Sequence, residues 1–128
     1  HYAYGAIGDW LYRKVAGIDP DPDHPGFKSF IIKPHPGSEM NDVSASYESP
    51  YGKISSSWKI ENGQFHLKVN IPVNTNAIVY VPATGNNLDV NGAAVASPER
   101  VNDEGLNYQY LKIERGSGEY TFITTFNP

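Results

Sequence analysis

From residue 27 onward, apolar and polar positions alternate with a period of two, which predicts strands. Ile54, Ser56, Trp58 and Ile60 share one side against Ser55, Ser57 and Lys59. Phe65, Leu67, Val69 and Ile71 alternate in the same way against His66, Lys68 and Asn70. Glu61-Asn62-Gly63 separates these runs, and Asn-Gly is the strongest short hairpin signal because both residues tolerate positive φ. Phe27–Lys33 predicts a first strand, and Val43–Glu48 a weaker one ending at the turn Ser49-Pro50-Tyr51-Gly52. Ala77–Val81 predicts a buried strand stopped by Pro82. Leu88–Val90 and Ala93–Val95 flank Asn91-Gly92 as a second, shorter hairpin. Tyr108–Ile113 and Tyr120–Phe126 form a last pair, joined through Arg115-Gly116-Ser117-Gly118. About eight short strands in roughly 100 residues predict a mainly β fold, an antiparallel β-sandwich.

Before residue 27 the period changes. Ala3, Tyr4, Ile7, Trp10, Leu11 and Val15 fall on one side at helical spacing, so Tyr2–Ala16 predicts one N-terminal α-helix preceding the sandwich. Asp9 and Arg13 sit four apart in the favourable order for a surface ion pair. Gly17 suits the position just past the helix end, and Pro20, Pro22 and Pro25 prevent its resumption. Gly5 and Gly8 each cost about 1 kcal/mol relative to Ala inside a helix, which fits a site where another backbone approaches closely. The apolar side is wide and aromatic, and its expected partner is a helical body. The predicted organisation is a helical unit at 1–18, a proline-stiffened connector at 19–26 and a sandwich at 27–128. With His1 in place of an initiator Met, the chain reads as the tail of something longer.

Composition narrows the class. The 128 residues carry 10 Lys plus Arg against 14 Asp plus Glu, a net charge of −4. Without a basic stripe, nucleic acid is not expected as a partner. No apolar run approaches the roughly 20 residues that cross a bilayer, so no membrane partner is expected either. There is no cysteine, which excludes disulfides and thiolate chemistry and leaves the compartment open. Gly (12) and Pro (10) are frequent enough to suit a body of many turns.

Candidate chemistry is sparse. Asp19, Asp21, Asp23, Glu39, Glu48 and Glu61 are the acids available for general acid–base work, but all fall at turns or strand ends where solvated carboxylates are ordinary. The Asp19/Asp21/Asp23 spacing resembles a calcium loop superficially; intervening prolines and the missing Glu ligand break it. His24, His35 and His66 read as exposed polar residues, and no histidine pair has zinc-site spacing. No metal or other cofactor is expected. No G-x-S-x-G elbow surrounds Ser55-Ser56-Ser57, and Gly5 and Gly8 open no phosphate loop. Trp58 shares a face with Ile54 and Ile60 and belongs in the core. Tyr47 and Tyr51, near a turn, are the best candidates for a sugar-stacking platform.

Three runs carry a family resemblance. His1-Tyr2-Ala3-Tyr4-Gly5-Ala6-Ile7-Gly8-Asp9-Trp10-Leu11-Tyr12, then Ala16-Gly17-Ile18-Asp19-Pro20, then Ile31-Ile32-Lys33-Pro34-His35-Pro36-Gly37 closely resemble the C-terminal part of bacterial α-L-rhamnosidases of glycoside hydrolase family 78. The stretch from Ala45 to Trp58 and Ile71-Pro72-Val73-Asn74-Thr75 continue the likeness, strongly to about Val81 and loosely afterwards. The resemblance implies a parent enzyme that hydrolyses terminal α-L-rhamnosides with inversion in an (α/α)6 barrel, followed by a β-sandwich. It implies that the opening helix is the last of that barrel, and that His1, first residue of the HYAYG-type motif, contacts substrate.

The family's catalytic glutamates lie upstream of that motif, so no catalytic residue is assigned in this chain. Inversion needs two carboxyl groups about 6.5–9.5 Å apart with water between them. One short helix cannot supply that geometry, and the fragment alone is expected to be inactive. The resemblance implies two partners, the rest of the parent chain with its helical barrel and the parent's carbohydrate substrate. Two other readings stay open: an independent carbohydrate-binding module, and an assembly domain whose helix pairs with a second copy.

Overall fold

The computed structural model describes residues 17–20, 29–36, 42–49 and 51–128. The expected helix at Tyr2–Ala16 lies outside them, as do His1, Asp21, Asp23, His24 and Glu39. Among the described residues the secondary structure is entirely strand: β1 (Ile18–Pro20), β2 (Ser29–Ile32), β3 (Asp42–Ser49), β4 (Gly52–Glu61), β5 (Gln64–Ile71), β6 (Asn76–Ala83), β7 (Leu88–Val90), β8 (Ala93–Ala94), β9 (Glu99–Val101), β10 (Gln109–Arg115) and β11 (Gly118–Thr125). They form two layers, a five-stranded sheet ordered β1-β2-β6-β10-β9 and a six-stranded sheet ordered β3-β4-β5-β11-β7-β8. The expected sandwich is therefore present, with more strands than the alternation announces.

Both Asn-Gly hairpins form as read. Asn62 (φ 55°) and Gly63 (φ 73°) link β4 to β5, while Asn91 (φ 52°) and Gly92 (φ 86°) link β7 to β8. Two successive positive φ values give the turn a twist that matches the flanking strands. The second turn is tied across the sheet, because the Thr121 amide donates to Asn91 Oδ1 at 2.8 Å and the Asn91 amide to the Thr121 carbonyl at 2.9 Å.

Alternation puts one side of each strand between the sheets. Phe30 and Ile32 from β2, Ile54 and Trp58 from β4, and Phe65, Leu67, Val69 and Ile71 from β5 meet Val79 and Val81 from β6, Leu111 from β10 and Phe122 from β11 in one core. Trp58 is 2% exposed and stacks on Phe65 with centroids 5.2 Å apart, the core role expected of it. Side chains of this size dominate the burial that holds such a layer pair together, about 1.5–3 kcal/mol each.

Two elements differ from the alternation reading. Pro82 sits inside β6 rather than ending it. β2 pairs with β6 only as far as Val79, so beyond that point no strand on that side needs an N–H from β6. The Pro82 carbonyl instead accepts the Thr124 hydroxyl from the facing sheet at 2.6 Å. Ile18–Pro20, read as a helix end running into a connector, is an edge strand in register with β2, with Ile18 opposite Ile32. Ile18 is buried, and backbone pairing outweighs the proline at an outer edge. The β2–β6 contact is parallel while every other pairing is antiparallel.

Candidate functional site

Where β2 ends, the chain builds a compact cluster on the side of the five-stranded sheet away from the core. Tyr110 alternates with Leu111, which faces the core, yet Tyr110 is itself fully buried. Its hydroxyl donates to the Pro34 carbonyl at 2.8 Å and lies 3.3 Å from His35 Nδ1. Since the tyrosine proton goes to a carbonyl, His35 Nδ1 carries the donor in the second contact. The Tyr80 and Tyr108 rings meet Tyr110 edge-on at 6.2 and 5.6 Å. Lys33 Nζ lies 5.0 Å from both the Tyr80 and Tyr110 centroids and bonds Asp103 at 2.7 Å. Burial, then the Tyr108 hydroxyl and the Asp103 charge, push the Tyr110 phenol well above its ordinary range and keep it a neutral donor.

This cluster also fixes Gly17. The Lys33 amide donates to the Gly17 carbonyl at 2.7 Å. Gly17 has φ +80°, and an added Cβ would fall 2.1 Å from the Lys33 carbonyl oxygen. Only glycine fits there. Gly17, expected as a helix terminator, is thus also a point of close backbone approach to the sandwich.

The opposite layer offers a polar outer face. Ser44, Ser57, Lys68 and Thr121 lie side by side in register across β3, β4, β5 and β11. Two adjoining hollows, of about 400 and 490 Å³, share Ser57, Lys68 and Thr121; the larger also takes in Asp42, Lys59 and His66. His66 is half-buried there rather than simply exposed. None of the hydrogen bonds among the described residues joins Ser57 to His66, so this face has no assembled nucleophile–base pair.

The remaining candidates stay separate. Glu48 and Glu61 are exposed, and Glu61 pairs with Lys59 at 3.1 Å. Asp19 lies in β1, with its backbone opposite Ile31. Tyr51 is 44% exposed at the β3–β4 turn, and its amide donates to Ser49 Oγ at 3.1 Å. No group of three or more His, Asp or Glu among the described residues is placed to hold a metal. Alternation alone did not reveal the Lys33–Tyr80–Tyr110–Asp103 cluster, because its members come from four separate stretches of chain. The trace in the sequence is that Tyr108 and Tyr110, two apart, share one side of the expected strand.

Fold and site define a two-sheet β-sandwich domain whose built features are a cation–tyrosine cluster and a polar sheet face. The family model described as the bacterial alpha-L-rhamnosidase C-terminal domain matches residues 17–95, and the chain belongs to that family. An alpha-L-rhamnosidase of Streptomyces avermitilis is 40% identical over 83 residues, which make up 65% of this chain and 8% of the relative. The solved alpha-L-rhamnosidase from Dictyoglumus thermophilum matches with a TM-score of 0.77 and 25% identity, over 96% of this chain and 14% of that one. The Streptomyces avermitilis alpha-L-rhamnosidase complexed with L-rhamnose matches with a TM-score of 0.73 and 32% identity, over 96% and 11%. These relatives are thus much larger rhamnosidases, of which the matching region is a small part. The family match opens at Gly17, where the paired backbone of the sandwich begins.

Proposed function

We propose that this chain is the C-terminal part of an α-L-rhamnosidase, a glycoside hydrolase acting on terminal α-L-rhamnosides with inversion. In this reading residues 27–128, together with the β1 strand, form an accessory sandwich that packs on the catalytic helical barrel. Residues 1 to about 16 are the last barrel helix, and His1 contacts the sugar. The observation that carries it is the family match over residues 17–95, joined to rhamnosidase relatives that are roughly seven to eight times longer. The backbone at Gly17, bonded to Lys33 and closed to any side chain, is a fixed attachment point on the sandwich and supports this reading.

The chemistry then resides in the barrel, where two carboxyl groups flank the bond and a water. The sandwich contributes rigidity to the last helix, and through it to the placement of His1. Two measurements test this. The isolated chain is expected to release no aryl alcohol from an aryl α-L-rhamnoside; turnover that survives purification overturns the reading. In a rhamnosidase that contains the whole chain, His1→Ala is expected to lower kcat/KM at least about tenfold, as loss of a charged or strongly polar substrate contact does. An unchanged kcat/KM overturns the assignment of His1.

A further inference from the structure

At one end of the sandwich, the β6–β7 connection, β9 and the 102–108 loop border a shallow, open basin of about 560 Å³. Its lining includes Asn86, Arg100, Asn102, Leu106, Tyr108 and Gln109. Most of it lies past residue 95, beyond the stretch the family model matches. It shares Tyr108 with the cation–tyrosine cluster, and that cluster holds it in place. Asp103, within the same loop, is fixed by the Lys33 ammonium, and Tyr108 is held against Tyr110 and Phe126.

The polar groups of the basin are oriented before anything binds. Gln109 Nε2 donates to the Gly85 carbonyl at 3.0 Å and to Asn86 Oδ1 at 3.2 Å. A carbonyl can only accept, so the amide orientation of Gln109 follows from its partner. Both Gln109 amide protons are then used, and its Oε1 is left as a fixed acceptor. Asn86, whose oxygen is occupied, is left with a fixed donor beside it. An adjacent donor and acceptor of this kind match hydroxyl groups, each of which both gives and takes a proton. The Arg100, Asn102 and Asn107 side chains form no hydrogen bond or ion pair with any described residue and line the same basin. Leu106 is 39% exposed, one of three large apolar side chains left open among the described residues. Amides around an apolar patch suit a ligand with hydroxyls on its edge and C–H groups on its face.

We infer that this basin is a binding site for a neutral pyranose ring, with Gln109 and Asn86 reading a pair of adjacent hydroxyls and Leu106 and Tyr108 receiving the apolar face. Asn86, Asn102, Asn107 and Gln109 are neutral amides suited to ring hydroxyls, and Arg100 supplies one further donor to them. The basin stands independently of the rhamnosidase reading; only the choice of L-rhamnose as first probe rests on it.

The test is an NMR titration of the full ¹⁵N-labelled chain with L-rhamnose and, separately, D-glucose, followed through the side-chain amide signals. Saturable shifts at Asn86, Asn102, Asn107 and Gln109 with either sugar, at millimolar affinity, are expected. Arg100→Ala and Gln109→Leu are each expected to weaken binding about threefold to tenfold, the value of one fixed hydrogen bond. Arg100 is exposed, so its variant reports on binding without threatening the fold. The inference is overturned if neither sugar shifts these amides, or if acyclic mannitol shifts them equally. It is equally overturned if galacturonate binds more tightly than both neutral sugars, or if both variants bind as the parent chain does. None of these outcomes bears on whether the isolated chain turns over a rhamnoside, so the two readings fail separately.

Discussion

The Tyr110 hydroxyl reaches across 76 residues of sequence to donate to the Pro34 carbonyl at 2.8 Å. That bond joins β10 to the segment following β2 at a place fully closed to water. It has a measurable signature. The folded state holds the phenolic proton more tightly than the unfolded chain, in which a tyrosine titrates near pH 10. Below that pH both states keep the proton and nothing changes. Above it the unfolded chain releases its proton first, so stability falls by about 1.4 kcal/mol per pH unit. Urea midpoints from pH 7 to 11 are expected to show this slope, reduced by one proton in Tyr110→Phe. The same variant is expected to lose about 1 kcal/mol at neutral pH with the bond to Pro34.

Gly17→Ala is expected to destabilise the chain by at least about 2 kcal/mol, because it combines an unfavourable φ with a methyl driven into the Lys33 carbonyl. Gly92→Ala is the informative comparison. Gly92 also has a positive φ, +86°, but nothing lies within 4 Å of its added Cβ. Its cost is the conformational part alone, about 1 kcal/mol. Thermal unfolding of the pair separates collision from dihedral strain, and equal losses would refute the close approach at Gly17.

Two buried hydroxyls should respond oppositely to removal. Ser56 Oγ is fully buried in β4 and has no hydrogen-bond partner among the described residues. Ser56→Ala is expected to leave stability unchanged or raise it by up to about 1 kcal/mol, since an unpaired polar atom leaves the interior. Thr124, 1% exposed, donates to the Pro82 carbonyl, whose place beside β2 is vacant. Thr124→Val is expected to cost about 1–2 kcal/mol by stranding that carbonyl. Denaturant titration of both variants decides it.

The strands were legible where side chains alternate and the turn residues are chemically specific, as at Asn62-Gly63 and Asn91-Gly92. Both strand pairs around them formed as read. β1 and β9 were not legible, because a three-residue edge strand needs only backbone pairing and leaves little pattern in its side chains. Pro82 misled for a related reason: a proline ends a strand only where a neighbour requires its N–H, and the sequence does not say where β2 stops. The candidate surfaces were less legible still. Lys33, Tyr80, Asp103 and Tyr110 meet through the order of strands in the sheet, and the oriented amides of Asn86 and Gln109 meet because Gln109 Nε2 donates to Asn86 Oδ1 across 23 residues. Single residues in a list of acids and histidines carried no hint of either. Tyr47 and Tyr51 stand out in a sequence because stacking residues are conspicuous, whereas amides are not.

The parallel contact between β2 and β6 bears on how the molecule assembles itself. Ser29 meets Asn76 across 47 residues, and that span holds the whole β3–β4–β5 meander. A parallel partner cannot be reached by a tight reversal, so closing this loop waits on local hairpins that shorten the effective search. On loop-closure grounds the β3–β4–β5 hairpins are expected to form before β2 docks on β6, and β1, which pairs with β2, after it.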